Sequence, residues 1–159
     1  MMKKMLVTYF SFSGVTRAAA EKLSAAANAD LFEIRPETPY VEPDLDWNDP
    51  TARSTIEMQD TNSRPALASD AVDIAIAPYD VIFIGFPIWW GREPSVVDTF
   101  IDTHDFSGKY VVPFCTSGGD GFENTAQLEK LLPGIPAHME FLKTTTDAEI
   151  RAWLKELAL

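Results

Sequence analysis

The strongest constraint on this chain lies in its first third, where two apolar runs flank a helix-compatible stretch. Residues 5–10 are apolar apart from Thr8, which fits a strand covered on both faces. Residues 16–27 change to Ala, Glu, Lys and Leu, all good helix formers, and Val15, Ala19, Leu23 and Ala26 fall on one face. Asn28 supplies a stop, and residues 31–35 read as a second strand ended by Pro36. Strand, helix and strand within about 30 residues form a βαβ unit, which demands parallel strands and a right-handed crossover.

The turn inside this unit, Ser11-Phe-Ser-Gly-Val-Thr16, is rich in hydroxyls and opens a helix. Backbone N–H groups and hydroxyls converging on a helix N-terminus suit a phosphate. An ordinary capped turn has the same composition, so the loop alone leaves both readings open.

Further along, residues 80–86 form an apolar, β-branched run that reads as a central strand. It leads into Pro87-Ile-Trp-Trp-Gly-Arg-Glu-Pro94 and a helix with Val96, Val97, Phe100 and Ile101 on one face. Residues 109–116 give a fourth strand, in which Pro113 predicts a local irregularity near the end, because proline cannot donate to the ladder. The glycine-rich 117–121 then precedes a helix expected to reach Leu132, with Leu128, Leu131 and Leu132 inward. Residues 139–142 read as a fifth strand. The last helix starts at a capping box of Thr146 and Glu149 and carries the stripe Ile150, Trp153, Leu154 and Leu157.

Five strands alternating with helices predict a three-layer α/β/α domain with a parallel sheet, spanning residues 1–159 as one unit. The exception is the acidic, proline-punctuated segment 36–66. There one helix is expected, with Asp49 as N-cap, Pro50 at its first position and Ile56 on its buried side. Tyr40 and Trp47 read as anchors that pack this segment on the body.

Composition limits the partners. The formal charge of −11 argues against nucleic acid or an anionic membrane; it suits a basic protein partner, and solubility alone explains it equally well. The one cysteine, Cys115, excludes an intramolecular disulfide and reads as a buried structural thiol. His104 and His138 stand alone and read as surface or structural residues. No apolar run of signal-peptide length follows Met-Met-Lys-Lys-Met, and none reaches transmembrane length, so a cytoplasmic location is expected.

In such a sheet the loops leaving the strand C-termini share one rim, where ligands bind. The loop after strand one is hydroxyl-rich. The loop after strand three carries Trp89 and Trp90 beside Gly91, and adjacent residues on a loop cannot both enter one core. The loop after strand four holds Gly118, Gly119 and Gly121, which permit close backbone approach. Together they describe a pocket for a flat aromatic ring with a phosphate tail. Rival chemistries lack their residues: there is no Gly-Lys-Ser/Thr phosphate loop, no Gly-x-Gly-x-x-Gly and no arginine six positions after Cys115. Nor does the first strand end in the acidic residues that a phospho-accepting receiver needs.

At this point the chain resembles the flavodoxin family along essentially its whole length. Ser11-Phe-Ser-Gly-Val-Thr16 is similar to the family's phosphate loop, with Val15 where asparagine is usual. Pro87-Ile-Trp-Trp-Gly91 and Thr116-Ser-Gly-Gly-Asp-Gly121 resemble its two flavin-flanking loops. The runs at 79–85 and 105–109 are similar to a short-chain bacterial branch with a Trp-Trp-Gly flavin loop.

The resemblance implies strand order 2-1-3-4-5, noncovalent FMN and electron transfer between redox partners. The alternative it allows is an NAD(P)H-dependent FMN or quinone oxidoreductase, and a third reading is a scaffold that has lost the flavin. It assigns the cofactor to Ser11, Phe12, Ser13, Gly14, Val15, Thr16, Pro87, Ile88, Trp89, Trp90, Gly91, Thr116, Ser117, Gly118, Gly119 and Asp120. Ser11, Ser13 and Thr16 would hold the phosphate with the loop amides, without a cationic side chain. Trp89 or Trp90 would cover the ring, Gly91 would offer a carbonyl to the reduced ring by a backbone flip, and Gly118 and Gly119 would face its pyrimidine side. Asp120, if near the ring, would lower the potential. The segment between Pro36 and Pro65 lies between strands two and three, unlike the fifth-strand insertion of long-chain forms.

Overall fold

Alternating residues of three central strands feed two separate cores, and this alternation sets the architecture. In the computed structural model, which describes residues 2–117, 121–136 and 138–159, Leu6, Ile82 and Ile84 face one side of the sheet with Phe86, Val97 and Phe100. Val7, Phe83, Val112 and Phe114 face the other, against Leu23, Ile150 and Trp153. The strands are β1 Met5–Tyr9, β2 Asp30–Glu33, β3 Val81–Pro87, β4 Tyr110–Thr116 and β5 Met139–Phe141. They form one five-stranded sheet of order β2-β1-β3-β4-β5, with every pairing parallel. Helix α1, Val15–Ala27, and the last helix, α6, Asp147–Glu156, cover one face. Between them in the chain come α2 Arg53–Gln59, α3 Ser69–Asp73, α4 Ser95–Thr103 and α5 Ala126–Leu131.

Local signals end these elements where expected. Asn28 caps α1 in the left-handed region at φ 51°, and Thr146 and Glu149 close a reciprocal capping box on α6. Cys115 is fully buried, and burial pushes its thiol up to about 12. His104 accepts a structural place, its Nε2 lying 2.8 Å from the Ala71 carbonyl. Among the described residues no helix is long and apolar enough to cross a membrane.

Four expectations need correction. The β3–β4 register runs unbroken through Ile84 and Pro113, so β4 has no irregularity there. Strand β5 pairs only with residues from Phe114 onward, which leaves the outer edge of β4 open beside the proline. Helix α5 is shorter than expected and starts after Thr125, because Phe122 packs on Phe86 at 5.4 Å and Asn124 donates to the Gly91 carbonyl.

Helix α2 begins after Ala52. Asp49 instead accepts bonds from the Thr51 N–H and hydroxyl, an Asx turn that competes with helix initiation. Ile56 is exposed, and Ser54, Thr55 and Met58 take the buried side. The docking is polar: the Ser54 hydroxyl donates to the Asp44 carbonyl and Thr55 to that of Asp46. Finally, Tyr40 is an anchor but Trp47 is not. Tyr40 sits between Phe10 and Trp89, under the Arg53 guanidinium at 3.8 Å, with its hydroxyl donating to Glu57. Trp47 is 71% exposed.

Candidate flavin site

The loops after β1, β3 and β4 meet at one rim because parallel strands all end there. The first is held by Phe10, whose N–H donates to the Gly85 carbonyl at 2.9 Å, and by the Ser11 hydroxyl, which accepts from Gly14 N–H at 3.1 Å. Phe12, Ser13 and Gly14 are exposed, while Ser11 and Val15 are half-buried. Gly14 is the N-cap of α1 at φ 93° and offers no side-chain cap, so the helix presents its first amides to the loop. Thr16 is buried, and its hydroxyl lies 2.8 Å from that of Thr116. That bond ties the first loop to the end of β4.

A Cβ on Gly14 would meet nothing within 4 Å, so the glycine is needed for its backbone angle and not for space. Gly14→Val should therefore lower stability by about 1–3 kcal/mol through left-handed strain. Gly14→Asn, which tolerates that region better, should lose less. Urea unfolding of the two variants distinguishes strain from crowding.

The loop after β3 is a two-residue hairpin. Trp89 and Arg92 exchange backbone hydrogen bonds at 2.9 and 3.1 Å, and Trp90 and Gly91 between them both adopt positive φ, 51° and 77°. Two left-handed residues define a type I′ turn. An aromatic residue in that region is strained, which concentrates at functional sites. Trp89 is buried edge-on against Phe10 and Tyr40, at 5.4 and 5.1 Å. Trp90 is 42% exposed, so the two indoles do point apart.

Two clefts open here. One, of about 580 Å³, is lined by Ser13, Val15, Pro87, Ile88, Trp89, Thr116, Ser117, Leu142, Lys143 and Thr144. The other, of about 350 Å³, is lined by Leu45, Trp47, Ile88, Trp89 and Trp90. They share Ile88 and Trp89. The pair has a hydroxyl-rich helix N-terminus at one end and two exposed indoles at the other. Gly118, Gly119 and Asp120 lie outside the described residues.

Leu45, Trp47, Leu142, Lys143 and Thr144 were not legible as site residues from the sequence. The loop after β5 lies on the same rim by the same topological rule, which was the available signal for Lys143. Trp47 had none, standing among acidic residues with no periodic apolar neighbour.

A 2-1-3-4-5 parallel sheet with its ligand cleft at the β1/β3 switch point defines a flavodoxin-like protein. The chain belongs to the flavodoxin family, whose profile matches residues 4–157. It is similar to a Bacteroides eggerthii protein provisionally named a flavoprotein, with 44% identity, 99% of each chain covered and a TM-score of 0.88. A Bacteroides uniformis protein with the same provisional name shares 39% identity over 98% of this chain and 99% of its own, with a TM-score of 0.89. A flavoprotein from Lactobacillus acidophilus, solved in complex with FMN, shares 26% identity over 96% of this chain and 99% of its own, with a TM-score of 0.69. A search of curated proteins returned no match.

Proposed function

We propose that this protein binds FMN noncovalently across the two neighbouring clefts and carries electrons between redox partners. The observation that carries this reading is that an anion-suited helix terminus and a tryptophan-lined slot open in clefts that share Ile88 and Trp89 as lining residues. An elongated ligand with a phosphate tail and a flat aromatic head matches both ends. The first loop and the uncapped turn of α1 hold the phosphate, with Lys143 contributing a cation at the cleft's edge. Thr16 and Thr116 fix the loop that does the holding. Trp47 and Trp90 stack on the ring.

Flavin supplies the electron chemistry; the chain orients the ring and shields it. Among the described lining residues of the two clefts, Lys143 is the one ionisable group. Indoles that cover the ring favour a carrier over a stand-alone reductase, which needs an open flavin face for a nicotinamide. The Gly91 carbonyl accepts from Asn124 N–H at 2.9 Å, so a backbone flip there would exchange one hydrogen bond for another. Glu42, Asp44, Asp46 and Asp49 beside Trp47 give the rim a negative charge that suits a basic protein partner.

The test is a titration of flavin-free protein with FMN, followed by stepwise reduction with and without NAD(P)H. Saturable binding without NAD(P)H oxidation is expected. Rapid NAD(P)H turnover with a quinone acceptor would replace the carrier with an enzyme, and no binding would remove flavin from the account. Trp47→Ala should weaken FMN binding by about 1–3 kcal/mol, the scale of one stacked aromatic contact. Its melting temperature should stay unchanged because the indole is exposed. A lowered melting temperature with unchanged affinity would return Trp47 to a packing role.

A further inference from the structure

Directly behind the tryptophan hairpin lies a buried ionic cluster that the proposed flavin chemistry does not use. Arg92 is 3% exposed, and Glu93 and Asp98 are fully buried. One guanidinium nitrogen, Nη1, donates to Asp98 Oδ2 at 3.2 Å and to Glu93 Oε1 at 3.5 Å. The other, Nη2, donates to the Ser95 hydroxyl at 3.3 Å, which donates to the Glu57 carbonyl of α2. Two carboxyl groups thus share one cation. The remaining oxygen of each, Glu93 Oε2 and Asp98 Oδ1, has no partner in the absence of a carboxyl hydrogen.

Were both groups ionised, the cluster would bury one uncompensated negative charge and two unsatisfied carboxylate oxygens, a costly state. A single proton removes both defects. It neutralises the cluster and supplies an O–H donor between the two carboxyl groups. The surrounding charges decide where it sits. Burial raises the Asp98 carboxyl too, but the bond from Glu93 and the charges of Arg92 and of Arg64, which also binds Asp102, oppose that rise and favour Asp98 as the ionised partner. Glu57, facing from α2, is itself acidic and engaged with Tyr40 and Arg53.

We propose that Glu93 and Asp98 hold one proton between them at neutral pH, with Glu93 as the acid, and that this proton positions the Trp89–Arg92 hairpin of the flavin site. The link is covalent and short. Arg92 closes the hairpin through its backbone and anchors the carboxyl pair through its side chain. Loss of the proton to solvent charges the cluster and loosens the turn that carries Trp90. Burial first, then the hydrogen bond to Asp98 and its charge, raise the Glu93 carboxyl to about 9. The hairpin role rests on the flavin reading; the shared proton does not.

Infrared spectroscopy of the wild-type protein tests the proton directly. A carboxylic acid C=O stretch is expected at neutral pH, sensitive to deuteration, lost at alkaline pH and missing in Glu93→Gln. Its absence from folded wild-type protein at neutral pH overturns the proposal. Stability gives a second readout. Glu93 has its folded-state value raised above its unfolded one, so the folded state holds the extra proton between about 4.5 and about 9. The stability this proton supports is present at the acid end and declines as pH rises through that window. The melting temperature of wild type should fall across it relative to Glu93→Gln, and parallel profiles would count against the pair.

For the hairpin, tryptophan fluorescence and FMN affinity should both change above pH 9 in wild type and stay level in Glu93→Gln. If the infrared band is present but neither signal moves, the positioning role is lost. If FMN never binds while the band and fluorescence behave as expected, the flavin reading fails and the shared proton stands. Should Glu93→Gln not fold, the pH dependence of the wild-type band and fluorescence decides.

Discussion

Replacing Arg92 with methionine should destabilise the fold by about 3–5 kcal/mol at neutral pH, the usual consequence of removing one partner from a buried charge cluster. Methionine keeps most of the volume, so the loss is electrostatic. Glu93 and Asp98 remain fully buried without the cation they shared, and the Ser95 hydroxyl loses the Nη2 donor. The deficit should be pH-dependent in a defined direction. Both carboxyl groups would bind protons more tightly in the folded variant than in its unfolded chain, so acid favours the folded form. Urea unfolding near pH 5.5 should therefore show a smaller loss than at pH 7.5. An equal loss at both would mean that packing, and not charge, was removed. Replacing all three residues together with apolar ones should recover much of the stability.

Gly85→Ala should be the other severe substitution, at about 3 kcal/mol or more, the upper end for overpacking in a core. Gly85 lies in β3, paired on both sides, and a Cβ there would stand 2.0–2.6 Å from three ring atoms of Phe114 on the neighbouring strand. Such distances cannot be absorbed by a small shift. Phe114 is wedged against Phe141 at 5.4 Å, and its strand is buried on both faces. The glycine is therefore a socket for the ring. Phe114→Leu in the Gly85→Ala background should recover part of the loss, measured as a shift in the urea midpoint. Additive losses would show that the ring and the new methyl do not compete.

Much of the fold was legible because its signals are local. A strand buried on both faces reads as an apolar run wherever it occurs, as at β1 and β3. The capping box of α6 depends on residues three apart, and the left-handed stop at Asn28 on one. The rim loops followed from strand order alone. The divergence of Trp89 and Trp90 followed from their adjacency.

What was not legible involved choices between distant partners. No local signal marks Arg92, Glu93 and Asp98 as buried, since such residues are rarely buried unless paired. Nothing in Gly-Arg-Glu-Pro shows that α4 and α2 close over them. Helix α2 was misplaced because its docking uses hydroxyls of Ser54 and Thr55 on carbonyls of the preceding turn, and periodicity counts apolar residues only. Thr16, which the family resemblance assigns to the phosphate loop, has its hydroxyl on Thr116, a hundred positions away, a contact that no local signal announces.

The sequence by itself determined the alternation of strands and helices, the parallel sheet, and the rim at which the hydroxyl loop and the tryptophans gather. Only the tertiary structure decided that Tyr40 is buried and Trp47 exposed, and that two clefts share Ile88 and Trp89 as lining residues. It alone placed two acids behind the tryptophan hairpin with one cation between them. The division has a physical cause. Backbone periodicity and turn chemistry act over a few residues, where sequence and structure coincide. The partner of a polar or aromatic side chain is chosen by whichever element happens to pack against it.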